Sequence, residues 1–145
     1  MRLLIATIAL ALTSNLELNA QEAQINWMSI AEVTEAQKNE PRKVMMDVYT
    51  KWCGPCKMMM ANTFTNEGLI EYVNKNYYCV KLDAEHPDPI TFRGEEYTNP
   101  NYNPNSKGRN GVHQLSIALK VSAYPTIVYF DEELNVIAPI SGYKQ

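Results

Sequence analysis

At 145 residues and 16.5 kDa, the chain has room for one domain built around one core. Apolar residues make up 46% and charged residues 20%, which excludes wholesale disorder. Thirteen Lys and Arg against 16 Asp and Glu leave a net charge of −3, the wrong sign to gather a polyanion, so no nucleic-acid partner is expected.

The first 20 residues read as an address. Arg2 supplies a positive start, and Leu3 to Leu12 is an apolar run broken by Thr7. Ten residues are too few for a permanent membrane span. Leu18 and Ala20 offer a cleavage site before Gln21. This is the pattern of a secretory signal peptide over 1–20, with a single domain over 21–145. The expected location is therefore outside the cytoplasm, periplasmic or extracellular, where disulfides persist. No stable membrane insertion is expected after the leader is removed.

Along the rest of the chain, Ile25 to Met28 reads as a short edge strand. Ser29-Ile-Ala-Glu32 has the spacing of a capping box, which predicts a helix from Ala31 to about Asn39, closed by Pro41. Lys43 to Tyr49 is apolar except for its ends and Asp47, the pattern of a central strand buried on both faces. Pro55 suits the first turn of a helix running through Met60. Asn66 to about Asn76 predicts a further helix, with Leu69, Ile70 and Val73 on one face. Tyr77 to Asp83 predicts a second apolar strand.

Residues 86–111 break the alternation. Four prolines, five asparagines and three glycines fill 12 of these 26 positions, so the stretch reads as a long ordered surface loop. Val112 to Lys120 has helical spacing, Ile127 to Phe130 reads as a strand, Asp131 to Asn135 as a turn and Val136 to Ile140 as a last strand. The order β-α-β-α-β-loop-α-β-β predicts an α/β fold with a central mixed sheet flanked by helices.

The chemistry centres on Cys53 and Cys56. An isolated CxxC either holds a metal with further ligands or cycles between dithiol and disulfide. A zinc site would need Cys79, His86 and His113 to converge on the pair. The redox use needs only the strand-to-helix junction at which the pair sits. There, free backbone N–H groups favour a Cys53 thiolate, and Cys56, one turn on, can close a small ring. Cys53 is then the attacking thiol and Cys56 the resolving one.

Trp52-Cys53-Gly54-Pro55-Cys56-Lys57 resembles the active site of the thioredoxin family, and the resemblance spans about Val44 to Gly142, with 86–111 as an inserted loop. It implies the thioredoxin-like fold and a thiol–disulfide oxidoreductase of the protein-disulfide reductase type, with Cys53–Cys56 as redox-active disulfide, no other cofactor and no metal. Asp47 matches the family's buried carboxylate, which desolvation should make a base for Cys56. Lys81 matches the strand lysine beside it. Tyr124-Pro125-Thr126 matches the cis-proline loop, whose backbone pairs with an extended substrate. Trp52, Gly54 and Pro55 complete the implied substrate surface, with Trp52 as a flat apolar contact over the disulfide. Gly142 resembles the glycine after the last strand. The implied partners are protein disulfides and, for an exported reductase, a membrane thiol relay as electron donor.

Three departures stand out. Ala61 occupies the position of a helix-kinking proline, which predicts a straighter active-site helix. The insertion enlarges one side of the substrate groove. No helix follows Gly142, so the C-terminal helix of the fold is apparently missing. The chain is then a fragment, or another surface covers the sheet, by self-association for example, and the protein alone should be poorly stable. Cys79 reads as a buried small hydrophobe. Of Met58, Met59 and Met60, at least one must face solvent. The rival reading is a thioredoxin-fold binding module or chaperone-like protein that holds a client or metal without redox turnover.

Overall fold

The computed structural model describes residues 23–145, so the expected signal peptide lies outside the described residues. Five strands form one mixed sheet in the order β1-β3-β2-β6-β7: β1 (Trp27–Met28), β3 (Tyr77–Asp83), β2 (Lys43–Tyr49), β6 (Thr126–Phe130) and β7 (Val136–Ser141). The first three are mutually parallel, β6 runs antiparallel to β2, and β7 antiparallel to β6. This is the predicted thioredoxin-like α/β architecture. Among the described residues no helix is long and apolar enough to cross a membrane.

β2 is buried from Val44 to Val48, as a central strand must be when both faces are covered. Its alternation sends Val44, Met46 and Val48 to one face, where they pack with Val33, Val80, Leu82, Val128 and Phe130. Met45 goes to the other face, with Met59, Phe64, Ile70, Val73, Cys79 and Ile127. Helix α1 (Ile30–Asn39) supplies Val33 to the first core. Ser29 and Glu32 form the predicted capping box, each side chain bonding the other's backbone N–H. Helix α3 (Glu67–Asn76) supplies Ile70 and Val73 to the second, and its N-cap is Asn66.

Several boundaries differ from expectation for visible reasons. The edge strand is two residues rather than four. Asn74 of α3 takes Asn26 N–H and donates to Gln24 O, and Trp27 N–H turns back to Ile25 O, so residues 24–26 are drawn off the sheet. The helix expected over Val112 to Lys120 is α4 (Gln114–Ala118). His113 is its N-cap, accepting Leu115 N–H at Nδ1, and Lys120 has left the helical region with φ of 58°. The active-site helix is not straight. α2 (Gly54–Met58) passes into a π-helical segment, Met59–Thr63, in which Phe64 N–H reaches back five residues to Met59 O. The wider turn takes the place of a proline kink and brings Met59 and Phe64 into the second core.

The stretch 86–111 is more than a surface loop. It contains β4 (Ile90–Phe92) and β5 (Glu95–Tyr97), an antiparallel hairpin turned by Arg93 and Gly94, both with positive φ. Phe92 is 6% exposed and meets Phe130 edge-on at 5.6 Å between ring centroids. Asn99 ties the two ends of the insertion together, donating to His86 O and Gly111 O. Gly111 passes so close to Asn101 that a Cβ would lie 2.4 Å from its carbonyl carbon, so a side chain is not tolerated there. The turn formers thus build a closed, core-anchored lobe. The sequence shows their abundance but not their mutual contacts.

After β7, no helix follows among the described residues. Tyr143 packs against the second core and accepts from Asn62, and Thr63 donates to Lys144 O. A groove of about 640 Å³ remains on this face, lined by Met45, Phe64, Leu69, Ile127 and Tyr129 among others.

If the insertion is part of the core, Phe92→Ala lowers unfolding free energy by about 3 kcal/mol in urea titration. A loss under about 0.5 kcal/mol, as for a surface position, contradicts that packing.

Candidate active site

β2 ends at Tyr49, and the chain turns through Thr50, whose carbonyl accepts Cys53 N–H at 3.2 Å. This turn delivers Cys53 to the N-cap of α2 and sets Pro55 in its first turn. Cys53 and Cys56 are joined in a disulfide with a Cα–Cα distance of 5.3 Å. Cys56 N–H points at Cys53 Sγ, 3.1 Å away, so a donor is already aimed at the sulfur that carries charge when the bond opens. Both cysteines are nearly buried, while Trp52 is 39% exposed, and Gly54 and Pro55 are exposed.

Asp47 lies opposite Lys81 in the β2–β3 register, and the ammonium donates to Asp47 Oδ2 at 3.0 Å. Burial drives the Asp47 carboxyl above its ordinary range, against the downward pull of Lys81. Its Oδ1 is buried without a hydrogen-bond partner, an acceptor position open to a proton. Lys81 is held in place by the Tyr49 and Trp27 rings, 4.6 and 5.0 Å from their centroids, and by Met60 Sδ. The expected pairing of Asp47 with Lys81 is therefore formed. The Trp27 and Met60 walls of its cage are additional; Trp27 enters because β1 pairs with β3, which no local pattern reveals.

The Tyr124–Pro125 peptide is cis, and Pro125 and Thr126 are buried. Gly142 N–H donates to Pro125 O at 2.8 Å, tying the residue after β7 to this loop. Thr126 Oγ1 bonds Ala123 O and the Ser141 hydroxyl. The Tyr124 ring meets Trp52 edge-on at 5.9 Å, so the loop and the active-site turn share one surface.

Trp52 also carries polar contacts that the sequence did not indicate. Its indole N–H donates to Glu85 Oε1 at 2.9 Å, and the Arg109 guanidinium stacks on its ring at 4.3 Å from the centroid. The same Glu85 oxygen accepts Asn110 N–H at 2.8 Å. Both Arg109 and Asn110 come from the insertion, which therefore reaches the active-site turn. Sequence reading missed Arg109, since charges in a long loop carry no signal of where they fold, and Glu85, just before that loop, whose partners lie 33 and 25 residues away.

The groups of a zinc alternative do not gather into one site among the described residues, although the His86 and His113 rings lie 6.2 Å apart between centroids. Cys79 is buried in the second core, where burial pushes its thiol up to about 12. His113 is fully buried, with Nε2 3.1 Å from Asp88 O. Since Nδ1 accepts from Leu115, Nε2 carries the proton and donates. Among the described residues no three His, Cys, Asp or Glu side chains gather as a metal group. Of the three methionines, Met58 is 52% exposed and Met59 is buried, as a helical run requires.

A family model described as a thioredoxin-like domain matches residues 30–145. An uncharacterized protein of Archaeoglobus fulgidus is 27% identical over 92 residues, which is 61% of this chain and 72% of that one. The solved structure of the DsbH oxidoreductase is similar, with a TM-score of 0.57 and 20% identity over 84% of this chain and 75% of that chain. A thioredoxin from Thermus thermophilus gives a TM-score of 0.58 at 14% identity, covering 82% and 76%. At these identities the structural likeness concerns the fold.

Because folding raises the Asp47 pKa, the wild type loses stability as pH climbs from the ordinary carboxyl range through the raised value. Asp47→Asn has no such loss. Its melting temperature should exceed that of the wild type at pH 7, and the advantage should shrink as pH falls through that window. Equal melting curves at both ends would show that Asp47 titrates normally.

Proposed function

Because the chain belongs to the thioredoxin-like domain family, we propose that it is an exported thiol–disulfide oxidoreductase that reduces disulfides in client proteins. The observation that carries the redox reading is the Cys53–Cys56 disulfide at the start of α2, with Cys56 N–H aimed at Cys53 Sγ. Export is supported by the leader pattern of residues 1–20. The reductive direction is supported by the Gly54-Pro55 dipeptide, which resembles that of the reducing members of the family.

In the reduced protein, the Cys53 thiolate attacks one sulfur of a client disulfide. The client S–S bond breaks, and its other sulfur leaves as a thiolate with the bonding pair. A Cys53–client mixed disulfide now holds the client, whose extended backbone pairs with the loop at Tyr124, Pro125 and Thr126. Cys56 then gives its proton to Asp47 and attacks Cys53 Sγ. The second client sulfur leaves as a thiolate, and the Cys53–Cys56 bond closes. The client has gained two electrons and the protein has lost two. Lys81 steadies the Asp47 carboxylate between turnovers. No further cofactor or metal is required, and a membrane thiol relay returns the electrons in a compartment without a soluble reductant.

Three measurements test this. Cys56→Ser should accumulate a mixed disulfide with a client or model disulfide, visible as a dithiothreitol-sensitive mass increase, since the resolving thiol is gone. No trapped species removes the mechanism. The reduction potential in glutathione buffers should lie below about −220 mV, and a value above about −180 mV would make the protein an oxidant or isomerase instead. Intact mass from the producing cell should begin at Gln21; a retained leader would count against export.

A further inference from the structure

The insertion places a cation against the active-site turn and leaves it without an ion pair. The Arg109 guanidinium lies over Trp52, the residue before Cys53, and makes no ion pair among the described residues. The carboxylate nearest to this stack, Glu85, is half-buried and engaged through Oε1 by two N–H donors, Trp52 Nε1 and Asn110 N. Arg109 is exposed. The stack forms one wall of a cleft of about 570 Å³, which Glu85 also lines, together with Val112, Ile117, Val121 and Tyr124. Ile117 is 61% exposed although it faces this cleft from α4. The cleft therefore offers apolar side chains, the Tyr124 loop, one cation without an ion pair at Arg109, and the Glu85 carboxylate held through Oε1 by two N–H donors. Arg109 is the more exposed of the two charged groups.

We propose that Arg109 is a specificity-determining residue, selecting client segments that carry a carboxylate side chain next to the cysteine to be reduced. The inference rests on the Cys53–Cys56 redox reading and names the substrate class of that site. The contact of Arg109 with the Trp52 ring restrains the planar guanidinium, so little side-chain freedom is lost when it takes a carboxylate in a two-point contact. Glu85 acts through Trp52 as a positioning residue, because its hydrogen bond sets the ring on which Arg109 rests. A lysine-flanked client would leave its ammonium against the guanidinium, an unfavourable like-charge contact.

The test uses reduced full-length protein and disulfide-linked homodimers of one short peptide. The residues flanking its single cysteine are glutamate, glutamine or lysine. Each protein dithiol consumes one peptide disulfide and releases two peptide thiols, which are counted by chromatography after acid quenching. Rates are divided by those of dithiothreitol on the same peptides, which removes their intrinsic reactivity. The wild type should favour the glutamate over the lysine peptide by about fivefold at low salt. That ratio should fall towards one in about 0.5 M salt. Arg109→Gln should bring it near one, and Arg109→Glu should invert it. Circular dichroism and melting curves establish that both variants are folded, and the inversion by Arg109→Glu is not an outcome that loss of structure can produce. Equal wild-type rates on all peptides, or a ratio unchanged in Arg109→Gln, overturns the role of Arg109 while leaving the redox reading intact. No release of thiols from any peptide by the wild type overturns both.

Discussion

Burial of β2 on both faces is the constraint from which the site follows. Val44, Met46 and Val48 lock one side of the strand, and Met45 locks the other. A strand held this firmly cannot slip by one residue without exchanging its faces. That fixes where the chain leaves the sheet, and hence where Cys53 meets the start of α2. It also fixes Asp47 on the face where Lys81 of β3 lies opposite in register. A carboxylate in such a strand is costly unless paired, and Lys81 pairs only one of its oxygens. The strand thus keeps a partly satisfied acid in a dry position, and the raised Asp47 pKa is a direct consequence of that placement.

The insertion extends the same logic outward. Its hairpin is anchored by Phe92 on Phe130, its ends are tied by Asn99, and its last turn closes at Gly111 against Asn101. Those anchors are what allow Arg109 and Asn110 to hold defined positions at Trp52. A flexible loop of the same composition would spread its charges over solvent, where screening makes them nearly worthless. Here the loop's asparagines are used in internal hydrogen bonds, and Arg109 is held against Trp52 without an ion pair.

The helix after the disulfide shows how a fold can reach one end by different local means. Ala61 leaves the backbone N–H that a proline would remove, and the chain widens into a π turn over Met59–Thr63. The result places Met59 in the second core and Met60 against Lys81, so the geometry of the helix and the environment of the buried ion pair are linked.

Much of this was legible before any coordinates. The CxxC motif, the alternation of apolar runs, the Ser29–Glu32 spacing and the Asn66 start are local patterns, and local hydrogen bonding and periodicity are what a sequence records directly. The family resemblance added Asp47, Lys81 and the cis proline. Other features depend on residues distant in the chain and left no local trace. Asn74 shortens β1 from 48 residues away, the hairpin is hidden among turn formers, and Arg109 meets Trp52 across 57 positions of sequence. Local chemistry sets which element each segment can form. Packing between distant segments decides which side chains are buried, which charges are satisfied, and which cation comes to rest against Trp52.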